Sequence, residues 1–133
     1  MVLRFEDLIV WQKSQDLACN IYKLFAHIKD YSFKDQICSA TVSISSNIAE
    51  GFDKSSTKEY LQFLEISGTS ANEVKSLLYL SSRLKFISAG GSAKFVRKDR
   101  GNYKNDCWAN QIFRKKTTRY WNAPYHIQLI SYH

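Results

Sequence analysis

Residues 36–52 read QICSATVSISSNIAEGF, and this stretch decides the fold. Its apolar residues recur at intervals of three and four, at Ile37, Ala40, Ile44 and Ile48. This spacing predicts an amphipathic helix, because side chains three and four residues apart share one face of a helix, whereas those of a strand alternate. Small hydroxyl residues fill most of the other positions and allow a neighbouring helix to come close. The stretch therefore predicts a core helix.

Both ends of this helix carry sequence signals. Residues 32–35 fit a capping box that starts at Ser32 and has an acidic third position, Asp35. Gly51 is well placed to end the helix in a left-handed conformation. The predicted helix covers about residues 33–50.

One further helix is predicted on each side. The first begins at Asp7, whose carboxylate can cap it, and covers about residues 7–28. Its predicted inward face comprises Leu8, Trp11, Gln15, Ala18, Tyr22 and Phe25. The third begins with a second capping box, Ser56 to Glu59, and covers about residues 56–86. Its predicted stripe comprises Tyr60, Phe63, Leu64, Ser67, Ala71, Val74, Leu78, Ser81 and Leu84. At 1.5 Å per residue this is the longest element, roughly 45 Å.

Three blocks of sequence carry a resemblance to a known family. They are FEDLIVWQK at residues 5–13, SNIAEGF at 46–52 and KEYLQFL at 58–64. In this order they resemble the four-helix-bundle proteins encoded in intervening sequences of bacterial 23S ribosomal RNA genes. The resemblance covers roughly residues 5–88. It implies an all-α, up-and-down bundle that is not an enzyme, forms ring-shaped homopentamers and is associated with RNA.

A second interpretation comes from related bundle proteins, which act as accessory partners of reverse transcriptases. On that interpretation the chain is a protein–protein interaction module that does not touch nucleic acid. Family members often carry basic residues at the positions of Cys38 and Ser39, and proline at that of Ser45, whereas this chain does not. These departures weaken the case for a nucleic-acid-binding edge on the second helix.

Several residues are predicted to have structural or interface roles. Asn47 and Glu50 form a polar pair near the end of an apolar helix, so they either hydrogen-bond across the bundle or face a shared interface. The same class of role is assigned to Trp11, Gly51 and Phe63. A lone carboxylate such as Glu50, with no partner acid, base or metal, defines no reaction.

The charge distribution bears on nucleic-acid binding. The net charge of +7 and the pI near 9.4 would ordinarily suggest such a partner. Residues 1–88, however, carry ten Lys and Arg against ten Asp and Glu, and residues 89–133 carry nine against two. If the first part binds RNA or DNA, the candidates are Lys13, Lys54 and Lys58. A merely solvated role for these lysines stays open.

Other function classes are disfavoured. The three cysteines (Cys19, Cys38 and Cys107) show no CxxC spacing, and the three histidines (His27, His126 and His133) are scattered. We therefore predict no metal site, no cofactor, no disulfide framework and no catalytic residues. No apolar run is long enough to span a membrane, and the first residues do not form a signal peptide, so a cytoplasmic location is expected.

The helical pattern stops at residue 89. A bundle needs a fourth amphipathic helix, yet residues 89–133 show no sustained period and contain Gly90, Gly91, Gly101 and Pro124. We therefore predict a bundle domain at residues 1–88 and a poorly ordered basic, aromatic tail at 89–133, with the fourth helix missing or corrupted. One interpretation of the tail is nucleic-acid binding through basic residues interleaved with Trp108 and Trp121.

The other interpretation is a change of reading frame near Ser88. When the last two bases of each codon are joined to the first base of the next, the genetic code allows residues 89–97 to read QEEAQNLYE and 98–115 to read KIEEITKMIVGLIKSLEK. Apolar residues then fall at positions 95, 99, 102, 106, 109 and 113, as a fourth bundle helix requires. In that frame the basic charge of the tail disappears.

Overall fold

The computed structural model describes residues 4–88, 90 and 91 of the chain. A short 3-10 helix, Phe5–Asp7, precedes three α-helices: α1 at Ile9–Leu24, α2 at Tyr31–Phe52 and α3 at Thr57–Arg83. The described part of the chain contains no strand, so the predicted all-α class is confirmed. None of these helices is both long and apolar enough to cross a membrane. The expectations for the tail at 92–133 lie outside the described residues.

The helices are antiparallel, and α2 is the central one. Contacts between α2 and α3 pair Gln36 with Glu73, Ser43 with Ser70, and Ile44 with Ser67, so residue numbers rise along one helix as they fall along the other. Contacts between α1 and α2 show the same order, since Gln15 meets Ser45 and Phe25 meets Phe33. The backbone of α2 packs against both neighbours, whereas those of α1 and α3 hardly approach each other. The three helices therefore form an up-and-down arrangement around α2.

The apolar stripe predicted for α2 is confirmed. Ile37, Ala40, Ile44 and Ile48 are all buried, and Ile37 and Ile44 are fully so. Thr41 also lies inside the core, where its hydroxyl donates to the Ile37 carbonyl at 2.7 Å. A hydroxyl that bonds its own helix in this way can be buried at little cost, because its donor is satisfied.

The face predicted for α1 is partly wrong. Leu8 and Phe25 are buried as expected, but Tyr22 is 50% exposed and Gln15 is exposed as well. The helix instead buries Ser14, Leu17, Ile21 and, after its end, Ile28. The prediction was based on the spacing of the aromatic residues. It missed the buried stripe because that stripe includes the polar residue Ser14. That serine is tolerated in the core because its hydroxyl donates to the Trp11 carbonyl at 2.6 Å.

Two of the three predicted helix starts are wrong. Asp7 does not cap α1: it belongs to the 3-10 helix and forms an ion pair with Arg4 at 3.1 Å, while Leu8 occupies the N-cap position without a side-chain bond. Ser32 does not cap α2 either. Asp30 does so, accepting from the Phe33 amide at 3.0 Å. An aspartate two residues upstream therefore replaces the serine, and the helix begins earlier than predicted.

The start of α3 is confirmed. The Ser56 hydroxyl accepts from the Glu59 amide at 3.2 Å and contacts the Glu59 carboxylate at 2.8 Å. The helix has 27 residues and is the longest element, about 40 Å at 1.5 Å per residue. Its predicted stripe is buried from Ser67 to Ser81, but Leu84, at the end of the stripe, is 49% exposed.

Gly68 lies in the middle of α3, where a glycine lowers helix propensity by about 1 kcal/mol relative to alanine. A Cβ atom built at this position has no heavy atom within 4 Å, so no neighbour requires a glycine there. The close approach is made one residue earlier, where the buried Ser67 hydroxyl donates to the Ile44 carbonyl at 2.9 Å.

Gly68→Ala should therefore stabilise the protein by about 1 kcal/mol, because alanine has the higher helix propensity and meets no obstacle. Urea denaturation followed by circular dichroism would show a higher midpoint with an unchanged slope. A lower midpoint would mean that something packs against this position.

Candidate functional site

Gly51 lies where the end of α2 and the start of α3 approach closely. A Cβ atom at this position would come within 2.7 Å of the Phe63 Cβ and 3.1 Å of the Tyr60 Cδ2. The residue lies inside α2, which continues to Phe52, and its φ is not positive, so the predicted left-handed helix end is wrong. Glycine is needed here because α3 starts directly against the last turn of α2.

Two of the residues predicted from the sequence, Lys54 and Phe63, meet beside this contact. Phe63 is half-buried, and the Lys54 Nζ lies 5.1 Å from the centre of its ring, within the range of a cation–π contact. Gly51, Lys54 and Phe63 are thus brought together at the α2–α3 connection. Lys58, in the first turn of α3, is exposed.

Tyr60 belongs to the same cluster and was not predicted to matter beyond its place in the stripe. Its hydroxyl oxygen is buried and has no hydrogen-bond partner within the described part of the chain. Burial raises the pKa of the Tyr60 phenol from 10.0 to about 12, because the phenolate would lose its hydration. The sequence contains no signal for this, since the isolation of the hydroxyl depends on how the two helices meet.

A polar seam runs along the α2–α3 contact above this cluster. The Asn47 amide donates to the Ser43 carbonyl at 2.7 Å and to the Ser43 hydroxyl at 2.9 Å. The Ser43 hydroxyl in turn lies 2.9 Å from that of Ser70 on α3. Asn47 therefore bonds its own helix and reaches across the bundle only through Ser43. Glu50 is exposed and takes no part in the seam.

Trp11 lies in the first turn of α1. Its ring is half-buried and meets Phe5 edge to face, with the ring centres 5.2 Å apart. This contact fixes the 3-10 helix against α1 and is consistent with a structural role.

Three exposed aliphatic side chains share the face of α3 that also carries Glu73. Ile66 is 49% exposed, Leu80 42% and Leu84 49%. They are separated by fourteen and four residues, close to whole numbers of helical turns, so they share one face. We call these three residues the outer row. Glu73, on the same face, accepts a hydrogen bond from Gln36 at 3.4 Å.

The outer row was not predicted as a surface, although its signal is present in the sequence. Leu84 was assigned to the core stripe, and Ile66 and Leu80 were not considered. Ile66, Glu73 and Leu80 recur every seven residues, which places them on one helix face beside the core stripe.

The three candidate nucleic-acid-binding lysines lie towards one end of the bundle. Because the helices are antiparallel, the start of α1, which carries Lys13, and the α2–α3 connection, which carries Lys54 and Lys58, are at the same end. Acidic residues are interspersed there: Glu6, Asp7, Glu50, Asp53 and Glu59. The end as a whole is therefore not strongly basic.

The described residues provide little reactive chemistry. No group of three or more His, Cys, Asp or Glu side chains among them could hold a metal ion. Cys38 is buried, and desolvation raises the pKa of its thiol, which makes the nucleophilic thiolate less available. Cys19 is exposed and free.

Comparison with known proteins places the chain. The family model for the 23S rRNA-intervening sequence protein matches residues 6–98. The chain belongs to this family. The match extends past residue 88, where the resemblance noted in the sequence ends, and residues 99–133 lie outside it.

One solved structure shows the same fold as this member of the 23S rRNA-intervening sequence protein family. It is a crystal structure of a protein of unknown function from the S23 ribosomal protein family of Bacteroides thetaiotaomicron VPI-5482. The two are 24% identical, and the alignment covers 79% of this chain and 92% of that chain with a TM-score of 0.66. No curated protein matches the chain.

Gly51→Ala should destabilise the protein, because the new methyl group would come within 2.7 Å of Phe63 and push α2 and α3 apart. Overpacking of this kind costs about 1–3 kcal/mol, more than the gain in helix propensity. The measurement is the urea midpoint, with Gly68→Ala as the matched control of opposite sign. Equal effects of the two alanines would contradict the close approach at Gly51.

Tyr60→Phe should leave the urea midpoint at pH 7 equal or higher, because it removes a buried hydroxyl that has no partner. The wild-type protein should also lose stability between about pH 10 and pH 12. The pKa of the Tyr60 phenol is higher in the folded protein than in the unfolded chain, so deprotonation favours the unfolded chain. Tyr60→Phe should weaken that loss.

Tyr22→Phe is the control for this pH dependence, because Tyr22 is 50% exposed. It should follow the wild-type curve between about pH 10 and pH 12. If Tyr60→Phe follows the same curve, the phenol of Tyr60 is not held in a desolvated environment.

Proposed function

We propose that this protein is a non-enzymatic, self-associating helical bundle, and that copies meet through the outer row of α3. The observation that carries this proposal is the exposure of three large aliphatic side chains on one helix face. Removing an apolar row of this kind from water lowers the free energy by roughly 25 cal/mol per Å² buried. Membership of the family and the homopentamers implied by the resemblance support the same assignment.

The charge on this part of the chain also supports self-association. Residues 1–88 carry equal numbers of basic and acidic residues, so this part of the chain adds no net-charge repulsion between copies. Glu73, which lies on the same face as the outer row, accepts a hydrogen bond from the Gln36 amide at 3.4 Å. Glu73 is itself exposed, so a contact between copies has to leave its carboxylate in water.

The proposal that the protein is not an enzyme is supported by the chemistry of the described residues. They contain no cluster of three or more His, Cys, Asp or Glu that could hold a metal ion, and burial raises the pKa of the Cys38 thiol. A nucleophile paired with a base, or two convergent acids, would be needed for a hydrolytic site. The buried polar side chains instead bond backbone carbonyls or one another, as Ser14, Thr41 and Ser67 do.

The full-length protein should sediment as an oligomer, and replacing Ile66 and Leu80 together by glutamate should shift it towards the monomer. The new charges would have to be buried without partners in the contact between copies. Analytical ultracentrifugation over a range of protein concentrations gives the mass, and circular dichroism confirms that the variant is folded.

Val42→Glu is the matched control, because Val42 is an aliphatic residue of α2 that is 41% exposed and lies outside the outer row. It should leave the oligomer intact. A monomeric wild-type protein, or equal dissociation by the control, would contradict the proposed surface.

RNA association is the second candidate function, and it is favoured by the position of Lys13, Lys54 and Lys58 towards one end of the bundle. If these lysines bind phosphates, Lys54→Ala with Lys58→Ala should weaken RNA binding and lower the slope of log affinity against log salt by about 1 for each lysine removed. Lys23→Ala with Lys29→Ala, at the opposite end, should have no such effect.

If the bundle acts only as an accessory module for other proteins, we expect the opposite result. It would show no salt-dependent RNA binding, and neither pair of lysine substitutions would matter. The interspersed acidic residues around Lys54 and Lys58 favour this outcome.

A further inference from the structure

The outer row carries negative charge between its aliphatic side chains. Along α3, every seventh residue falls on this face, and these residues are Glu59, Ile66, Glu73 and Leu80. Acidic and aliphatic side chains therefore alternate along it. Both glutamates are exposed. The face that we propose as the contact between copies is thus acidic as well as apolar.

The neighbouring helix α2 adds a third carboxylate. Gln36, Ser43 and Glu50 are seven residues apart and share one face of α2. The Gln36 amide donates to Glu73 at 3.4 Å, which places this face of α2 beside the outer row. Glu50 is exposed and forms no ion pair within the described residues. Together the listed positions on α2 and α3 carry three glutamates and no lysine or arginine.

Two outer rows therefore do not complement each other. A contact of row against row brings the glutamates of one copy towards glutamates or aliphatic side chains of the other, because these positions hold no cation. Like charges brought together cost free energy, and a carboxylate against an aliphatic side chain loses hydration without gaining a partner. The row instead fits a different surface, one that is basic and also apolar.

The connection between α1 and α2 has the required charge. We call residues 22–34 the basic connection, because they contain Lys23, Lys29 and Lys34 against a single acid, Asp30. The Asp30 carboxylate is already used within the chain, since it accepts the N-cap hydrogen bond of α2. Lys23 and Lys29 are exposed and form no ion pair within the described part of the chain. Their charges are available to a partner.

Two tyrosines give the basic connection an apolar surface. Tyr31 is 68% exposed, the highest value among the large hydrophobic side chains of the described residues, and Tyr22 is 50% exposed. The Gln15 amide donates to the Ser45 hydroxyl at 3.0 Å, across the contact between α1 and α2. Tyr22 follows the first of these residues by seven positions, and Tyr31 precedes the second by fourteen. Both spacings are close to whole numbers of turns, so the two rings lie on the same side of the α1–α2 pair.

We propose that the basic connection of one copy docks on the outer row of another. This inference rests on the self-association proposed above and names the second surface that it requires. The two tyrosine rings cover the aliphatic side chains of the row. The lysines approach the glutamates at the edge of the contact, where the carboxylates stay hydrated and fix the orientation of the two copies. Because the two surfaces differ, the contact is heterologous, and its repetition links copies into a ring or a chain.

Single-stranded nucleic acid is the other ligand that such a connection could take, because lysines beside exposed aromatic rings also suit phosphates and bases. A second copy is favoured here, since the complementary surface is present on the same chain. Its aliphatic side chains match tyrosine rings, and its three glutamates match the three lysines.

The test is analytical ultracentrifugation of full-length charge-reversed variants. Lys23→Glu with Lys29→Glu, and separately Glu50→Lys with Glu73→Lys, should each raise the apparent dissociation constant of the oligomer by about tenfold or more, because like charges then meet. An equimolar mixture of the two variants should associate again, since each offers the surface that the other lacks. Circular dichroism confirms that both variants are folded.

Lys54→Glu with Lys58→Glu is the matched control, because it reverses two lysines outside the basic connection. It should leave the mass unchanged. If the mass is unaffected by Lys23→Glu with Lys29→Glu, or if the mixture stays dissociated, the inference is overturned. The proposed function still stands in that case, provided that glutamates at Ile66 and Leu80 dissociate the oligomer.

RNA binding by the same variants separates the two ligands. If Lys23→Glu with Lys29→Glu abolishes salt-dependent binding of a single-stranded RNA and leaves the mass unchanged, the basic connection binds nucleic acid and the inference is overturned. A wild-type protein that is monomeric at every concentration overturns the proposed function itself, and the inference with it.

Discussion

The close approach of α2 and α3 is the constraint on which the rest of the structure depends. A Cβ at Gly51 would collide with Phe63, and the Ser67 hydroxyl donates directly to a carbonyl of the facing helix. Large side chains cannot occupy such positions. The small residues of α2 lower its hydrophobicity, but they also allow α3 to pack closely against it. The remaining stripe of α2, from Ile37 to Ile48, is then left to form the core. The central position of α2 follows from this arrangement.

The sequence predicted this helix well and its neighbours less well, for physical reasons. The stripe of α2 is a regular apolar spacing, and no other set of residues in the segment competes with it. On α1, large aromatic residues suggested one face while Leu17 and Ile21 formed another, and Tyr22 is half-exposed because its ring covers the surface without entering the core. Spacing alone could not choose between the two, since burial is decided by where α2 lies.

The residues of the candidate site could likewise be predicted only in part. Gly51 and Phe63 were recognised as structural residues, but their contact required the geometry of the α2–α3 connection, and Gly51 was assigned the wrong conformation. Asn47 was expected either to hydrogen-bond across the bundle or to face a shared interface. Within the chain it bonds its own helix and reaches Ser70 only through Ser43. The isolated hydroxyl of Tyr60 could not be predicted, since only the packed structure separates it from water.

The position of the basic residues in the chain changes how the high pI is interpreted. The basic pI comes from residues that follow Ser88, whereas residues 1–88 carry equal numbers of positive and negative side chains. A bundle of this kind offers apolar faces to partners more readily than it offers charge to phosphates. The outer row of α3 is a face of that type.

Native-state amide hydrogen exchange tests the central role of α2 most directly. If α2 is held between both neighbours, the amides of its middle, from Ile37 to Ile48, should exchange more slowly than those of α1 and share a single opening free energy with the facing part of α3. If α2 exchanges faster than α1, the fold is not organised around the contact of α2 with α3, and the small residues of α2 do not have the role assigned to them.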